Sequence, residues 1–425
     1  MHKFRILVFP CGSEIGLEIF RSLNFSTHIE LIGGNSVDDH GKFVFQDYID
    51  KIPFVDSPDF ISKMRKLVSS KKIDAIFPAM DKVIWTLKIN EKEIGCKILS
   101  SPAETTEICL SKRLTYEKLQ NIVDVPKTYN NLKSIHKYPV FIKPVIGYGS
   151  RGVFLATNQV QLEYFFKNKN IDDFVVSEYL EGEEYTVDCF TDRQGNLRFS
   201  GPRIRNRISN GISVNTKLIN DTSNEFVEIA EKINNALKLR GAWFFQVKRD
   251  ANNRLKILEV ASRLGGSSAL YRGLGINFAL LTVFDAFDYD IELIKNNYDI
   301  ELDRALDNKY KIDLNYNTIY VDFDDCLIIN NKVNSQLVSF LYIAFNKGKK
   351  LILITKHEGN IHKSLANFRL KHLFDEIIHV KKSDNKSNYI KDLNSIFIDD
   401  SFSERKEIKQ KFNLPVLSPD MIEIL

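Results

Sequence analysis

The C-terminal quarter of the chain carries carboxylate, hydroxyl and ammonium groups at the ends of short apolar runs. In chain order these residues are Asp322, Asp324, Thr355, Lys386, Asp399 and Asp400. The apolar runs at 319–321, 351–354 and 395–398 have the length and composition of buried strands. Polar groups just beyond the carboxyl ends of such strands form ligand sites in α/β proteins. Several such polar strand ends in this order therefore predict a functional site at the edge of a sheet.

The spacing of these groups is also informative. Strand periodicity puts Asp322 and Asp324 on one face. The interval from Asp324 to Thr355 is 31 positions, and so is the interval from Thr355 to Lys386. Each interval holds about one helix and one strand, which leaves no room for a cap domain. We therefore predict an open site. Its specificity comes from a large substrate or from the other domain, or the site has hardly any specificity.

A glycine-rich stretch follows an earlier apolar run that ends in Lys143. Its residues are Gly147, Gly149, Ser150, Arg151 and Gly152. Because apolar runs both precede and follow it, the stretch predicts a hairpin loop, whereas a dinucleotide-binding turn would lead into a helix. Glycine lets backbone N–H groups approach phosphate oxygens closely, and Lys143 adds a point charge. The alternative interpretation is a glycine-rich surface turn beside an unrelated lysine.

Two further stretches carry polar groups on predicted strands. Residues 174–188 read as two strands flanking a polar turn that carries four glutamates. Carboxylates there suit the exocyclic amine of adenine and ribose hydroxyls, although a solvated charge run would look the same. Farther on, Arg203, Arg205 and Arg207 alternate with Ile204 and Ile208, so a strand would place the guanidinium groups on one face. Guanidinium groups fit phosphate or carboxylate groups.

Two polar side chains are predicted to oppose each other across a hairpin. The runs at 243–248 and 257–260 bracket Asn252 and Asn253, which tolerate the positive φ angles of a type I′ turn. That register sets Gln246 opposite Glu259. Oxygen ligands of this kind hold Mg²⁺, which also binds substrate phosphates. The alternative is an amide–carboxylate hydrogen bond without a metal.

The elements that must position these groups belong to several domains, as the length of 425 residues predicts. Residues 1–100 alternate strands and helices around Cys11-Gly12-Ser13, which is typical of a doubly wound α/β layer. Residues 101–290 have an α+β texture, residues 291–316 look like a charged linker, and residues 317–425 form a second α/β unit. The predicted fold class is thus a multidomain combination of α/β and α+β architecture.

Composition narrows the classes of partner. The chain is 44% apolar and 27% charged with a net charge of +4, which gives no reason to expect nucleic-acid or membrane binding. No apolar run approaches the ~20 residues of a spanning helix, and the N-terminal run is too short for a signal peptide. The five cysteines are odd in number and scattered, which favours a reducing compartment. We therefore predict a cytoplasmic protein.

Over nearly all of residues 1–290, these pieces in this order resemble the ATP-grasp superfamily, most closely its carbamoyl-phosphate-synthase-like members. The resemblance implies a Rossmann-like layer before an ATP-grasp fold, with ATP and Mg²⁺ (or Mn²⁺) as cofactors. It implies an adenine hinge at 178–180, a ribose carboxylate at Glu184, metal ligands at Gln246 and Glu259, and a substrate-anion arginine at Arg263. The implied nucleotide-binding residues are Lys112, Lys143, Gly147, Gly149, Ser150, Arg151, Gly152, Glu178, Tyr179, Leu180, Glu184, Arg205, Arg207 and Lys217.

One position departs from the family pattern. Ala261 stands where the family normally has an asparagine metal ligand. This departure puts two-metal catalysis in doubt, although Ser262 or a water could substitute. Enzymes of this family transfer the γ-phosphoryl of ATP to a carboxylate, and the acyl phosphate is then open to an amine or another nucleophile.

Residues 317–425 resemble the uncapped haloacid-dehalogenase-like phosphatases. The resemblance implies Asp322 as nucleophile, Asp324 as the acid and base, Thr355 and Lys386 as phosphate contacts, and Asp400 as a metal ligand. The resemblance also implies that Asp399 helps Asp400 to bind Mg²⁺. Asp322 and Asp324 are further implied metal ligands. Cys326 replaces the commoner threonine. Lys382 is an alternative to Lys386, and Lys356 and His357 are interpreted as a solvated loop in preference to substrate contacts.

The leading hypothesis is a bifunctional enzyme that joins an ATP-dependent carboxylate ligase to a Mg²⁺-dependent phosphomonoesterase. Its expected partners are a small-molecule carboxylate and a phosphorylated metabolite, and a homo-oligomer is possible on this hypothesis. A second hypothesis makes the nucleotide fold a non-ligating regulatory module, disabled by Ala261, with phosphatase as the sole chemistry. A third treats the C-terminal unit as a scaffold without catalysis.

Overall fold

The computed structural model describes residues 3–147, 149, 151–305 and 308–425. Its first layer is a parallel sheet with strand order β3-β2-β1-β4-β5. Its strands are β1 (Phe4–Phe9), β2 (Ile29–Gly34), β3 (Asp47–Ile49), β4 (Ala75–Pro78) and β5 (Lys97–Ile98). Its helices are α1 (Glu14–Leu23), α2 (Gly41–Val44), α3 (Phe60–Lys71), α4 (Asp81–Ile89) and α5 (Glu91–Ile94). The parallel order agrees with the doubly wound layer that the alternation of apolar runs predicts.

Next come a pair of helices and a small antiparallel sheet. The helices are α6 (Ala103–Leu110) and α7 (Lys112–Leu119), and Ser111 caps α7 by accepting a hydrogen bond from the backbone N–H of Leu114. The small sheet has the order β7-β6-β8 and contains β6 (Val140–Pro144), β7 (Phe154–Ala156) and β8 (Phe174–Glu178), with α8 (Gln159–Phe166) between β7 and β8. The glycine-rich stretch thus joins two antiparallel strands, as its flanking apolar runs predict.

A large antiparallel sheet follows, with strand order β13-β12-β9-β10-β11-β14-β15. Its strands are β9 (Glu184–Thr191), β10 (Leu197–Ser209), β11 (Ile212–Leu218), β12 (Gly241–Arg249), β13 (Leu255–Ala261), β14 (Ile300–Arg304) and β15 (Asn308–Ile312). Helices α9 (Glu225–Leu237), α10 (Ala269–Arg272) and α11 (Phe278–Ala286) lie between them in sequence. One face packs on α9 through Val187, Phe245 and Ile233, among other residues.

Two strands of this sheet lie in the segment 291–316, where the sequence pattern predicted a linker. β14 pairs with β11 and β15 pairs with β14, so this segment extends the sheet. Ile300 and Leu302 are buried in the core shared with the first layer. The charged residues that alternate with Ile300 and Leu302 gave this segment the composition of a connection, because a strand of an antiparallel sheet can bury only one of its two faces.

The C-terminal unit is a parallel sheet with strand order β20-β19-β16-β21-β22. It contains β16 (Thr318–Val321), β19 (Lys350–Thr355), β20 (Glu376–His379), β21 (Ser395–Ile398) and β22 (Val416–Leu417), and a small hairpin is formed by β17 (Ile328–Ile329) and β18 (Lys332–Val333). Its helices are α12 (Ser335–Asn346), α13 (Ile361–Asn367) and α14 (Phe402–Phe412). Between β16 and α12, the described residues form this hairpin and no cap domain, as the spacing predicts.

A buried ionic cluster joins the units. Arg272 of α10 is 2% exposed and lies 2.9 Å from Glu18 of α1 and 2.7 Å from Glu423 near the C-terminus. Tyr310 of β15 donates a hydrogen bond to the same Glu423 oxygen. Among the residues described, no helix is both long and apolar enough to cross a membrane.

Candidate active sites

A buried lysine stands where the small sheet meets the large one. Lys143, near the end of β6, is 6% exposed, and its Nζ donates to the hydroxyl of Tyr116 and, at 3.1 Å, to the carbonyl of Leu258. Burial is the main cause that lowers its pKa to about 7, and the nearby Lys112 charge acts in the same direction. Lys112, at the first position of α7, donates to the carbonyl of Gly147 at 2.9 Å. Two predicted ATP-contacting lysines therefore lie beside the glycine-rich loop.

The carbonyl that receives Lys143 is available because β13 bulges at Leu258. Gln246 pairs with Glu259 whereas Val247 pairs with Ile257, which leaves Leu258 as the extra residue. A bulged residue is left out of the ladder, and the Leu258 carbonyl accepts from Tyr116 at 2.9 Å as well as from Lys143. The bulge thus helps to position the lysine.

The bulge also explains why Gln246 lies opposite Glu259 although the predicted turn is wrong. Asn253 has a φ of +62°, but Asn252 does not lie in the left-handed region, so the turn is not of type I′. Near the turn, Arg249 pairs with Leu255, one position away from the predicted register. The extra residue at the bulge then offsets this shift, and the two polar side chains face each other as expected.

On the same face of the large sheet, Arg205 connects two predicted ligands. It is 9% exposed, forms an ion pair with Glu184 and donates to the Gln246 side-chain oxygen at 2.9 Å. Deeper in this face, Arg203 and Asp188 form a buried ion pair at 2.6 Å. The structure therefore brings together a carboxylate, an amide oxygen and a guanidinium group that the sequence predicted around a nucleotide.

Two other cationic side chains that the sequence predicted at the nucleotide site, Arg207 and Lys217, do not lie beside Arg205. A register irregularity between Arg205 and Arg207 interrupts the predicted alternation, and Arg207 pairs with Asp303 at 2.7 Å with its side chain 60% exposed. Lys217 pairs with Ile204 across the ladder and is exposed. Cross-strand partners share a face, so Lys217 lies on the face opposite Arg205 and is not brought to this cluster.

The predicted adenine hinge follows β8. Glu178 accepts from Lys256 at 2.5 Å and from the backbone N–H of Lys127 at 2.8 Å. Leu180 is buried, and Lys248 lies 5.5 Å from the centre of the Tyr179 ring. The Glu178 carboxylate is therefore neutralised and Leu180 lies in the core, while a contact of this segment with adenine stays a prediction.

Within the glycine-rich loop, Gly149 and Gly152 have φ angles of +59° and +75°. L-residues with side chains rarely adopt such angles, so glycine is required at both positions for the loop to turn. Arg151 is exposed on this loop. Ser150, which the sequence also predicted as a nucleotide contact, lies outside the described residues.

At the end of β13, Ala261 lies opposite Phe244 and is buried, so no side-chain oxygen is supplied at that position. Arg263 forms a bidentate pair with Asp81 at the start of α4, with distances of 2.8 and 2.9 Å. This pair ties the large sheet to the first layer. The predicted substrate-anion arginine is therefore held by a carboxylate of the chain itself.

The second cluster lies at the carboxyl ends of β16, β19 and β21. Lys386 begins a short 3₁₀ turn, is 3% exposed, and its Nζ lies 2.8 Å from Asp322 and 2.7 Å from Asp399. Thr355, at the end of β19, is buried. The alternative lysine, Lys382, is instead exposed and pairs with Glu358.

Three carboxylate side chains lie close together in the cluster that contains Lys386. Asp322, Asp399 and Asp400 each place a ligand oxygen within 4.8 Å of the others. Burial, and next the charge of Asp322, raises the pKa of Asp399 to about 8 and that of Asp400 to about 6. A divalent cation relieves such crowding of like charges, so this donor set fits Mg²⁺.

Asp324 lies at the rim of this cluster beside a residue that sequence reasoning assigned to a solvated loop. Its carboxylate, in a side chain 52% exposed, is 2.9 Å from Nδ1 of His357. The other ring nitrogen of His357 lies 2.9 Å from the Ser364 hydroxyl, and its backbone N–H donates to Thr355. The position of His357 two residues after Thr355, at a strand end, is the signal that could have identified it.

A family model and several curated relatives match parts of this chain. Residues 170–304 match a family described as ATP-grasp in the biosynthetic pathway with Ter operon. D-Alanine–D-alanine ligase of Fusobacterium nucleatum is 27% identical over 158 residues, which cover 35% of this chain and 54% of the relative. The chain thus spans about half the length of that relative. The arginine-specific carbamoyl phosphate synthase large chain of Halalkalibacterium halodurans is 29% identical over 114 residues, 24% of this chain and 11% of the relative.

Solved structures share the architecture. A biotin carboxylase from Campylobacter jejuni, solved as a β,γ-ATP complex, superposes with a TM-score of 0.59 at 20% identity over 71% of this chain and 75% of that one. At this identity the likeness concerns the fold. Residues 170–304 are thus similar to the ATP-grasp family, and the fold of the wider region is shared with this biotin carboxylase.

Proposed function

We propose that residues 1–290 form, with β14 and β15, an ATP-dependent ligase that joins a small carboxylate to an amine or another nucleophile. The observation that carries this proposal is the convergence of Lys143, Arg205, Gln246 and Glu259 at one junction of two sheets. The ATP-grasp family match at 170–304 supports it, as does the partial similarity to a D-alanine–D-alanine ligase.

The proposed reaction has two steps. An oxygen of the substrate carboxylate attacks the γ-phosphorus of ATP, the bond from that phosphorus to the bridging oxygen breaks, and ADP leaves. The nucleophile then attacks the carbonyl carbon of the acyl phosphate, loses its proton and expels phosphate. Lys112 and Lys143 would neutralise phosphate oxygens, and Gln246 with Glu259 would hold Mg²⁺. A bound Mg²⁺ would screen the charge of the transferred phosphoryl group.

We further propose that residues 317–425 form a phosphomonoesterase. The Asp322 carboxylate would attack the phosphorus of the ester while Asp324 protonates the leaving oxygen, and water would then hydrolyse the aspartyl phosphate. Lys386, 2.8 Å from Asp322, lets an anionic nucleophile approach an anionic phosphate. Asp322, Asp399 and Asp400 would hold Mg²⁺, which supplies further charge neutralisation.

ADP release in the presence of ATP, Mg²⁺ and a panel of amino acids and sugar acids tests the ligase, with products identified by mass. We expect at least one acceptor to stimulate ADP release, and Gln246→Ala and Glu259→Ala to abolish that stimulation. Lys217→Ala is the matched control, because Lys217 lies on the other face of the sheet. If no acceptor elicits ADP while ATP still binds, the ligase proposal is wrong.

Binding of ATP without any acceptor-stimulated release of ADP would favour a regulatory nucleotide-binding module. The specific observation behind this alternative is Ala261, which offers no metal ligand at the end of β13. Restoring the oxygen with Ala261→Asn distinguishes the two: a gain of ADP release would mean that the remaining machinery is intact, whereas no gain would favour the regulatory role.

Hydrolysis of p-nitrophenyl phosphate with Mg²⁺ tests the phosphatase. Asp322→Asn should abolish turnover because the amide is not a competent nucleophile, while Asp375→Asn serves as a control outside the cluster. Activity that persists in Asp322→Asn would exclude this chemistry and favour a scaffold role for the unit.

Cytoplasmic location, oligomeric state and use of Mn²⁺ stay predictions.

A further inference from the structure

A basic cavity adjoins the second cluster. It has a volume of about 250 Å³ and is lined by Lys356, His357, Glu358, His379, Lys381 and Lys382. We refer to it as the basic pocket. At roughly 30 Å³ per water molecule, this volume equals about eight waters. The basic pocket is therefore the size of a monosaccharide or a similar metabolite fragment.

The basic pocket begins where a leaving group would lie. Asp324, the proposed acid, must reach the leaving oxygen within hydrogen-bond distance, and its carboxylate is 2.9 Å from His357 of the pocket wall. His379 pairs with Thr355 across β19 and β20, so the pocket also adjoins the proposed phosphate contact. A phosphoester held at Asp322 would thus direct its alcohol portion toward this cavity.

The charge of the basic pocket is positive. Among the described lining residues, lysines outnumber the single carboxylate, Glu358, which pairs with Lys382. Lys356 pairs with Glu404 at 2.5 Å. Lys381 forms no ion pair within the part of the chain that the structure describes. An unpaired ammonium beside a sugar-sized cavity favours an anionic group on the occupant.

We propose that the basic pocket binds a second anionic group, a carboxylate or a phosphate, on the alcohol portion of the phosphoester that this unit cleaves. The proposal rests on the proposed phosphatase function and adds a substrate class to it. The described residues of this unit form no cap over the site, so recognition by its rim is open to Lys381 and Lys382, which line the basic pocket. The substrate is thus a monosaccharide-sized phosphoester that carries a further negative charge.

Matched substrates test this proposal with the full-length chain and Mg²⁺. Glucose 1-phosphate, glucuronic acid 1-phosphate and glucose 1,6-bisphosphate share a ring and differ at carbon 6, so the last two separate a carboxylate from a phosphate. We expect kcat/KM for at least one of these two to exceed that of glucose 1-phosphate by about tenfold or more. The advantage should shrink at high salt, where exposed charges are screened.

Variants then locate the effect. Lys381→Ala and Lys382→Ala should each lower kcat/KM for the preferred doubly anionic ester by about fivefold, the effect of one exposed ion pair. The same variants should lower p-nitrophenyl phosphate hydrolysis less, because that ester carries no second anionic group. Lys371→Ala removes an exposed lysine elsewhere in this unit and should change neither.

The outcomes separate the two proposals. Asp322-dependent hydrolysis with equal kcat/KM for all three sugars, or an advantage that survives loss of both lysines, would overturn the basic pocket while leaving the phosphatase intact. Absence of Asp322-dependent hydrolysis of every ester, including p-nitrophenyl phosphate, would overturn the phosphatase and the pocket with it.

Discussion

Replacing Lys386 with methionine removes an ammonium group from between two buried carboxylates while keeping a side chain of similar length. Lys386 is 3% exposed, and its Nζ lies 2.8 Å from Asp322 and 2.7 Å from Asp399. Breaking a buried pair by removing one partner costs about 3–5 kcal/mol. We expect the lower end of this range, because burial and Asp322 already raise the pKa of Asp399 to about 8 and a proton can partly replace the ammonium.

A loss of about 3 kcal/mol corresponds to an opening equilibrium that is roughly a hundredfold more favourable. Both tryptophans, Trp85 and Trp243, lie outside residues 317–425, so this unit has no tryptophan fluorescence of its own. Hydrogen exchange measured by mass spectrometry on peptides that contain β16 and β21 reports on this unit. Their amides should exchange about a hundredfold faster in Lys386→Met when no divalent cation is present.

A control variant and added Mg²⁺ test whether the lost positive charge of Lys386 causes the faster exchange. Lys381→Met removes an exposed lysine nearby and should leave exchange in both strands unchanged. Millimolar Mg²⁺ should slow exchange in Lys386→Met, because a cation held by Asp322, Asp399 and Asp400 replaces the lost positive charge. Equal exchange in the two variants without Mg²⁺ would refute the argument that this lysine neutralises the buried carboxylates.

Nucleotide affinity should fall as the pH rises above 7, because burial lowers the pKa of Lys143 to about 7 and a neutral amine attracts phosphate less than an ammonium does. Calorimetric titration with ADP at pH 8, in buffers of different ionisation enthalpy, should show proton uptake that Lys143→Met abolishes. Replacing Gly152, whose φ is +75°, with alanine should add about 1–2 kcal/mol of strain and raise the Kd for ADP. Gly348→Ala, with a similar φ of +72° in open space, should not change that Kd. Arg272→Met should destabilise the protein by roughly 3–5 kcal/mol, because it leaves Glu18 buried without its partner. Arg254→Met removes a guanidinium group that is 56% exposed and should cost less than about 1 kcal/mol by thermal denaturation, because Asp250 keeps the hydrogen bonds it accepts from the backbone N–H groups of Asn252 and Arg254.

Short sequence patterns predicted most of the buried strands and the polar residues at their ends. Apolar runs ending in Asp322, Thr355 and Asp399 predicted buried strands with polar ends, because strand periodicity and burial are properties of short segments. The parallel sheet of the C-terminal unit then gathers those ends at one edge. The hairpin that opposes Gln246 and Glu259 was predicted in the same way, although its turn type was wrong.

The same reasoning did not predict β14 and β15, the last two strands of the large sheet. Residues 300–304 and 308–312 alternate charged with apolar side chains, and their composition resembles that of a linker. β14 becomes a strand because β11 offers an unpaired edge whose backbone N–H and C=O groups need partners, and β15 then pairs with β14 for the same reason. That need belongs to the sheet and not to the segment that meets it.

Contacts between distant segments were decided by the tertiary structure. The amino acid sequence determined which residues could do chemistry, since a carboxylate, a lysine or a glycine has its properties wherever it lies. It did not determine that a bulge frees the Leu258 carbonyl for Lys143, that His357 meets Asp324, or that Lys217 turns away from Arg205. Each of these depends on register and on packing between segments far apart in the chain, which local propensity does not encode.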